Sequence, residues 1–171
     1  MTTKRIIYTR PDGSVSVIAP APEYIVCFES VDDALAAIAR KDISDGAADI
    51  QVVSVEHIPT DRVFRNAWER DLSPSPDAIR INMSKARVIH MDLVRIARNA
   101  ELAALDIEHQ RADEQNDEDR KVKIAAKKQA LRDLPATFDL TQYDTPDKLK
   151  AAWPDELKCQ RALEAIARNA S

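Results

Sequence analysis

Between Met83 and Pro135 the chain carries no glycine, and no proline until Pro135 itself. Such a run holds nothing that breaks a helix. Ala86, Ile89, Leu93, Ile96, Ala100, Ala103 and Ile107 recur at spacings of three and four, which places them on one helical face. A polar run from Asp113 to Arg120 interrupts the pattern. Val122, Ile124, Ala125, Leu131 and Leu134 then resume it. The reading is a long helix, a charged turn and a shorter helix folding back, closed by Pro135. Lys121, Lys123, Lys127 and Lys128 on the second helix complement Glu101, Asp106 and Glu108 on the first. Antiparallel packing pairs them. Each exposed pair contributes only about 0.2–1 kcal/mol, so the pairs set register more than stability. The alanine-rich seam buries modest area, so the hairpin is expected to lean on a further surface: the rest of the chain, a second copy or another protein.

The N-terminal part has a different rhythm. Arg5–Tyr8 and Ser14–Ile18 are β-prone runs separated by Pro11-Asp12-Gly13. Proline presets φ, aspartate bonds the turn backbone and glycine accepts positive φ, so a β-hairpin is expected. Tyr24–Phe28 reads as a third strand or the lead-in to a helix. Ser30 is an N-cap, with Asp32 and Asp33 in the first turn of a helix over about 31–41. Ile50–Val55 is a further strand, closed by Pro59. A short helix, Arg62–Arg70, is expected next, with Phe64 and Trp68 on one side at i, i+4. Core packing is the ordinary role of such a pair. The sharper alternative is a partner-facing anchor.

Leu72–Asp77 (LSPSPD) reads as a semi-rigid linker. The expected organisation is a small α+β domain over 1–71, a Ser/Pro linker over 72–81, the helical hairpin over 82–135, and a C-terminal loop with short helices over 136–171. Asn82 or Ser84 caps the first long helix. Phe138, Leu140 and Tyr143 should pack back. Thr145-Pro146 opens a short helix to about Ala152. Pro154 opens a last one carrying Leu157, Leu163 and Ile166. The fold class is α+β.

Composition narrows the chemistry. The 171 residues include only two glycines, Gly13 and Gly46, too few for a phosphate-cradling loop or a nucleophile elbow. The net charge of −4 argues against generic phosphate binding. Residues 1–75 hold 8 Lys and Arg against 12 Asp and Glu, and the remainder is balanced. Cys27 and Cys159 lie far apart, and His57, His90 and His109 lack metal-ligand partners at useful spacing. The acidic run Asp113, Glu114, Asp117, Glu118 and Asp119 has no calcium-loop pattern. No cofactor, metal or catalytic residue is expected. No apolar run is long enough for a signal peptide or a membrane span, so a reducing cytoplasm is the expected setting.

At 98–135, RNAELAALD followed by a variable charged stretch and KKQALRDLP resembles the C-terminal region of phage tail assembly chaperones. That group has an Arg-x-x-x-Leu-x-x-x-Asp helix before one ending Gln-Ala-Leu-Arg-Asp-Leu/Ile-Pro. The matching residues are Arg98, Leu102 and Asp106, then Gln129, Ala130, Leu131, Arg132, Asp133, Leu134 and Pro135. TPDKLKAAWP (145–154) resembles an ending associated with the same kind of phage protein. RIIYTRPDGSVSV and DRVFRNAW resemble proteins of phage and prophage tail regions. One position departs: Ile107-Glu108 stands where the group often has Trp, and the segment between the motifs is longer.

The resemblance implies a non-enzymatic protein of phage tail morphogenesis. It would bind a tail or tail-fibre component, as an assembly chaperone in the bacterial cytoplasm or as a minor structural protein of the virion. Arg98, Gln129, Arg132 and Asp133 are the expected polar recognition residues, with Phe64 and Trp68 as anchors. Arg132 and Asp133 could equally cap the helix end. Two other classes stand beside it. An acidic inhibitor of a host nucleic-acid enzyme requires Asp32, Asp33, Asp42, Asp45 and Asp49 clustered on one exposed face. A small enzyme using Cys27 and His57 requires those side chains within hydrogen-bond reach.

Overall fold

The computed structural model describes residues 3–73 and 78–157. The fold is α+β. It divides into two compact units, 1–86 and 87–171.

The first unit is built on a three-stranded antiparallel sheet of order β2-β1-β3, with β1 Lys4–Thr9, β2 Val15–Ile18 and β3 Ala48–Ser54. The expected hairpin joins β1 and β2. Gly13 sits at φ 79°, a conformation that costs glycine nothing. Asp12 Oδ1 accepts from Ser14 N at 2.8 Å and so closes the turn. Alternation along β1 then sorts side chains to two faces. Ile6 packs under α2 (Val31–Asp42) with Leu35 and Ile38. Ile7 faces the other way, into a cluster with Val15, Val53, Ile58, Trp68 and Ile79. Ser30 caps α2: its hydroxyl oxygen accepts from Asp33 N at 3.1 Å while the hydroxyl donates to Asp33 Oδ2 at 2.6 Å. The Tyr24–Phe28 run is not a strand: Tyr24 and Ile25 end a short helix, α1 (Pro22–Ile25), and Val26–Phe28 turn away from it.

Two expectations fail in this unit. Arg62–Arg70 is not a helix. A 3-10 turn at Arg65–Ala67 leads into a strand, β4 (Trp68–Arg70), which pairs antiparallel with β5 (Ile79–Ile81). The Ser/Pro run therefore links the two strands of one small sheet. The division between units falls after Ala86, well beyond the linker expected at 72–81. The reason is pairing across the run: Trp68, Glu69 and Arg70 oppose Ile81, Arg80 and Ile79, and Trp68 and Ile79 share the cluster around Ile7. Asn82 then ties the sheet to the next helix. Its N–H donates to Ala67 O at 2.8 Å, its side-chain amide donates to Glu69 at 2.8 Å, and its Oδ1 caps Lys85 N at 3.0 Å.

The hairpin consists of α3, Met83–Glu114, and α4, Glu118–Thr137. Its turn is shorter than the charged run suggested, because Asp117 caps α4 by accepting from Arg120 N at 3.0 Å. Asn116, at φ 50°, makes the sharp reversal. Asparagine tolerates that region better than most residues. Pro135 does not close α4. The helix runs two residues further, where the Thr137 hydroxyl donates to Asp133 O at 3.2 Å and the backbone turns extended at Phe138. A proline this near the C-terminus forfeits little of the helical ladder.

The seam of α3 is rotated from the one expected. His90, Val94, Ala97, Leu105 and Ala112 are buried, while Ile107 is exposed and Ile89, Leu93 and Ile96 are half-buried. From α4, Ile124, Leu131 and Leu134 complete the core, and Val122 points out to solvent. Phe138 packs against this core, Leu140 is buried and Tyr143 is half-buried, as expected. Thr145 caps α5 (Pro146–Ala151), accepting from Lys148 N at 3.3 Å. Leu157 is buried in the hairpin core within a 3-10 turn, Asp155–Leu157. Leu163, Ile166 and Cys159 lie outside the described residues.

Candidate functional site

The recognition residues expected on the hairpin are only partly joined by hydrogen bonds. Gln129 and Asp133 are exposed one turn apart on α4, and Gln129 Nε2 donates to Asp133 Oδ1 at 2.9 Å. Arg132 is exposed beside them, and its charge acts on Asp106 of α3. Arg98 is half-buried and donates to Asn99 Oδ1 at 3.0 and 3.3 Å. It hydrogen bonds to none of the other three. Gln129 and Asp133 are thus joined directly, and Arg98 is bonded to its own neighbour instead.

The flank of the hairpin carries one charge pair of the expected set, Lys128 with Asp106, while Lys121 pairs instead with Asp113 near the end of α3 and Glu118 at the start of α4. Lys121 bridges Asp113 at 2.8 Å and Glu118 at 2.7 Å, and Lys128 meets Asp106 at 2.5 Å. Hydrogen bonds donated to Asp113 and then to Glu118 push the Lys121 ammonium up to about 12. The Lys128 hydrogen bond holds the Asp106 carboxyl below the ordinary carboxylate range, with Lys128 and Arg132 adding positive charge. A pocket of about 280 Å³ also opens on the hairpin. Leu105 and Leu131 form its floor, and Glu101, Glu108, Lys127 and Glu156 form its rim.

Phe64 and Trp68 are core residues of the first unit, 3% and 2% exposed. They do not share a helical face, because Phe64 precedes the 3-10 turn and Trp68 opens β4. Trp68 packs on the sheet with Ile7, Val15 and Val53, Phe64 is buried as well, and neither presents surface to a partner.

Two residues with structural roles escaped the sequence reading. Arg87 holds the loop after α4 by donating to Leu140 O at 3.1 Å, Thr141 O at 3.4 Å and Tyr143 O at 3.0 Å. His90, 1% exposed, donates from Nε2 to Ala152 O at 2.6 Å and meets Trp153 edge to face at 5.0 Å. Burial pulls its pKa below the ordinary 6.5, against the Ala152 bond that raises it. The imidazole is therefore a neutral tether between α3 and the segment after α5. Its only sequence signal is a polar residue four before Val94 on a helical stripe, which a search for metal spacing ignores.

Cys27 is exposed, and its thiol bonds Glu23 O at 3.5 Å, one turn back in its own segment. No hydrogen bond joins it to His57. Among the described residues no group of three or more His, Cys, Asp and Glu could hold a metal ion. Among the same residues no helix is long and apolar enough to cross a membrane. Asp32, Asp33, Asp42, Asp45 and Asp49 are exposed, but those with partners serve separate local ends. Asp32 pairs with Lys4, Asp33 with Ser30, and Asp49 accepts from Thr9 Oγ1 at 3.0 Å. Asp42 stands at the opposite end of α2 from Asp32, on the order of 15 Å away at helical rise.

No family model, curated protein or solved structure matches the chain.

Proposed function

We propose that the chain is a non-enzymatic protein of bacteriophage tail morphogenesis, binding a tail or tail-fibre component through its hairpin. The supporting observation is the motif resemblance of 98–135. Leu102, Leu131 and Leu134 of that motif lie in or against the hairpin core, and Gln129, Arg132 and Asp133 lie outside it. The apolar motif positions thus hold the hairpin together, which leaves the polar ones to meet a partner. The TPDKLKAAWP segment fits the same reading, since Thr145 caps a helix and Trp153 packs on the hairpin core. The protein would act in the host cytoplasm during assembly, as a chaperone or on its way into the particle.

Mass spectrometry of purified virions, with copy number, tests the reading. A fixed stoichiometric count makes the chain a structural component. Absence from virions, with co-purification of a tail or fibre protein from infected cells, makes it a chaperone. Absence from both overturns the proposal.

A further inference from the structure

Strand β3 is an outer strand, and among the described residues nothing pairs with its second edge. The register determines which backbone groups face that edge. Val55 N donates to Thr3 O at 2.7 Å, so Val55, Val53 and Gln51 direct their backbone groups at β1. Val52 between them directs its N–H and C=O outward, and Ser54 its N–H, the Ser54 carbonyl being taken by the 3-10 turn Val55–His57. Beside this edge runs a groove of about 580 Å³ between β3 and α2. Ile6, Leu35, Ala36 and Ala39 line it, together with Ile50 and Val52, which are 53% and 45% exposed. Helix α2 covers Ile6 and Ile18 but leaves β3 outside its cluster. The arrangement is a vacant strand position: a backbone edge on one side, a helix on the other and aliphatic side chains lining it. Neither lysine nor proline guards the strand, whose sequence is ADIQVVS; the charge of Asp49, at φ 54°, and the register irregularity opposite Ile7–Thr9 protect its first residues and leave Val52 and Ser54 beyond them.

We propose that this groove takes an extended segment of a partner protein as an added strand beside β3, with aliphatic residues at alternate positions and basic residues between them. Main-chain bonds to Val52 and Ser54 would supply the pairing, and the aliphatic lining selects every second side chain. The charge follows from the surroundings. Asp32, Asp33 and Glu56 are exposed toward the Ser54 end of the groove, where Lys4 is paired with Asp32 at 2.5 Å; toward the other end Arg40 and Lys41 of α2 are exposed and Arg70 donates to Asp49 O and Gln51 Oε1, so the excess of acid lies at the Ser54 end. The same acidity disfavours a second copy, because pairing β3 with β3 sets two segments of charge 8 − 12 = −4 against each other. The proposal involves the first unit alone and does not depend on the morphogenesis reading.

The test uses the full chain, labelled with 15N, and the peptide acetyl-KVKIRVKVK-amide. Binding is expected to be saturable, with shifts and slowed amide exchange at Val52 and Ser54. The acidic counterpart acetyl-EVEIEVEVE-amide should bind about tenfold more weakly or worse. Val52→Pro removes an outward N–H that β1 does not use, and should weaken the basic peptide by about tenfold or more. Ala36→Gln, at an exposed helix position, fills the groove without touching the ladder and should also weaken it; this variant decides the matter if Val52→Pro fails to fold. Lack of saturable binding, equal binding of the acidic peptide, or shifts confined to other elements overturns the proposal. So does a dimer in sedimentation whose intermolecular contacts join β3 to β3, which would make a second copy the occupant.

Discussion

The two units build a small core in different ways. The first concentrates bulk: Ile7, Ile58, Trp68 and Ile79 meet on one face of the sheet, and Ile6, Leu35 and Ile38 on the other. The second sets small residues among large ones: Ala97 and Ala112 are fully buried in the helical seam with Leu105, Ile124 and Leu131, and at those two positions a larger side chain would hold the helices apart. Sheet and helix geometry explain the contrast. A sheet offers a broad pleated face that large side chains must fill, whereas two helices come close only where small residues let them. The units should therefore fail under opposite substitutions.

The largest effect is expected from Trp68→Ala, which opens a cavity beneath the sheet and should cost about 3–5 kcal/mol. Denaturant unfolding followed by probes in each unit measures it. Trp68→Phe should recover most of that loss, because the indole N–H it deletes has no acceptor among the described residues. Ala97→Leu should hurt the hairpin by about 1–3 kcal/mol through overpacking. If Ala97→Leu proves neutral, the seam is looser than the structure shows and the contrast breaks.

Acid should then separate the units. His90 is buried neutral with its pKa below 6.5, so protonation favours the unfolded chain. Its contribution is complete above 6.5 and declines as pH falls below that value. Glu69, on β4, accepts from Lys85 and from Asn82, which hold its carboxyl below the ordinary 4.5. That contribution is complete above 4.5 and is lost as pH falls through the lowered value. Amide exchange against pH should therefore show the hairpin loosening first and the sheet unit later. His90→Met should flatten the earlier phase and leave the later one. A hairpin that shows no change between neutral pH and 4.5 would rule out the imidazole as the sensor.

The smallest effect is expected at the exposed charge pairs. Asp106→Asn should lower the melting temperature by little more than measurement scatter, and the difference should vanish in high salt, because screening removes what little an exposed pair contributes. A large, salt-independent loss would show that the pair with Lys128 does more than set register.

Local chemistry was legible from the chain wherever one segment decides its own conformation. Pro11-Asp12-Gly13 specified the hairpin turn, Ser30 and Thr145 specified helix starts, and the glycine-free run specified two long helices whose lysines and acids face each other. Each of these acts over a few residues or through a repeated period, so no distant partner is needed. Tertiary structure decided the rest. Trp68 became a strand residue because Ile81 lies opposite it across the Ser/Pro run, a pairing that no local propensity encodes. The buried stripe of α3 turned toward His90 and Val94 because Ala152 supplies a carbonyl and Trp153 a ring at that depth. The gap beside β3 arose because α2, spaced for helix by its own sequence, covers Ile6 and stops short of Ile50 and Val52. Periodicity shows that a face is apolar; only the positions of the other elements determine what covers it.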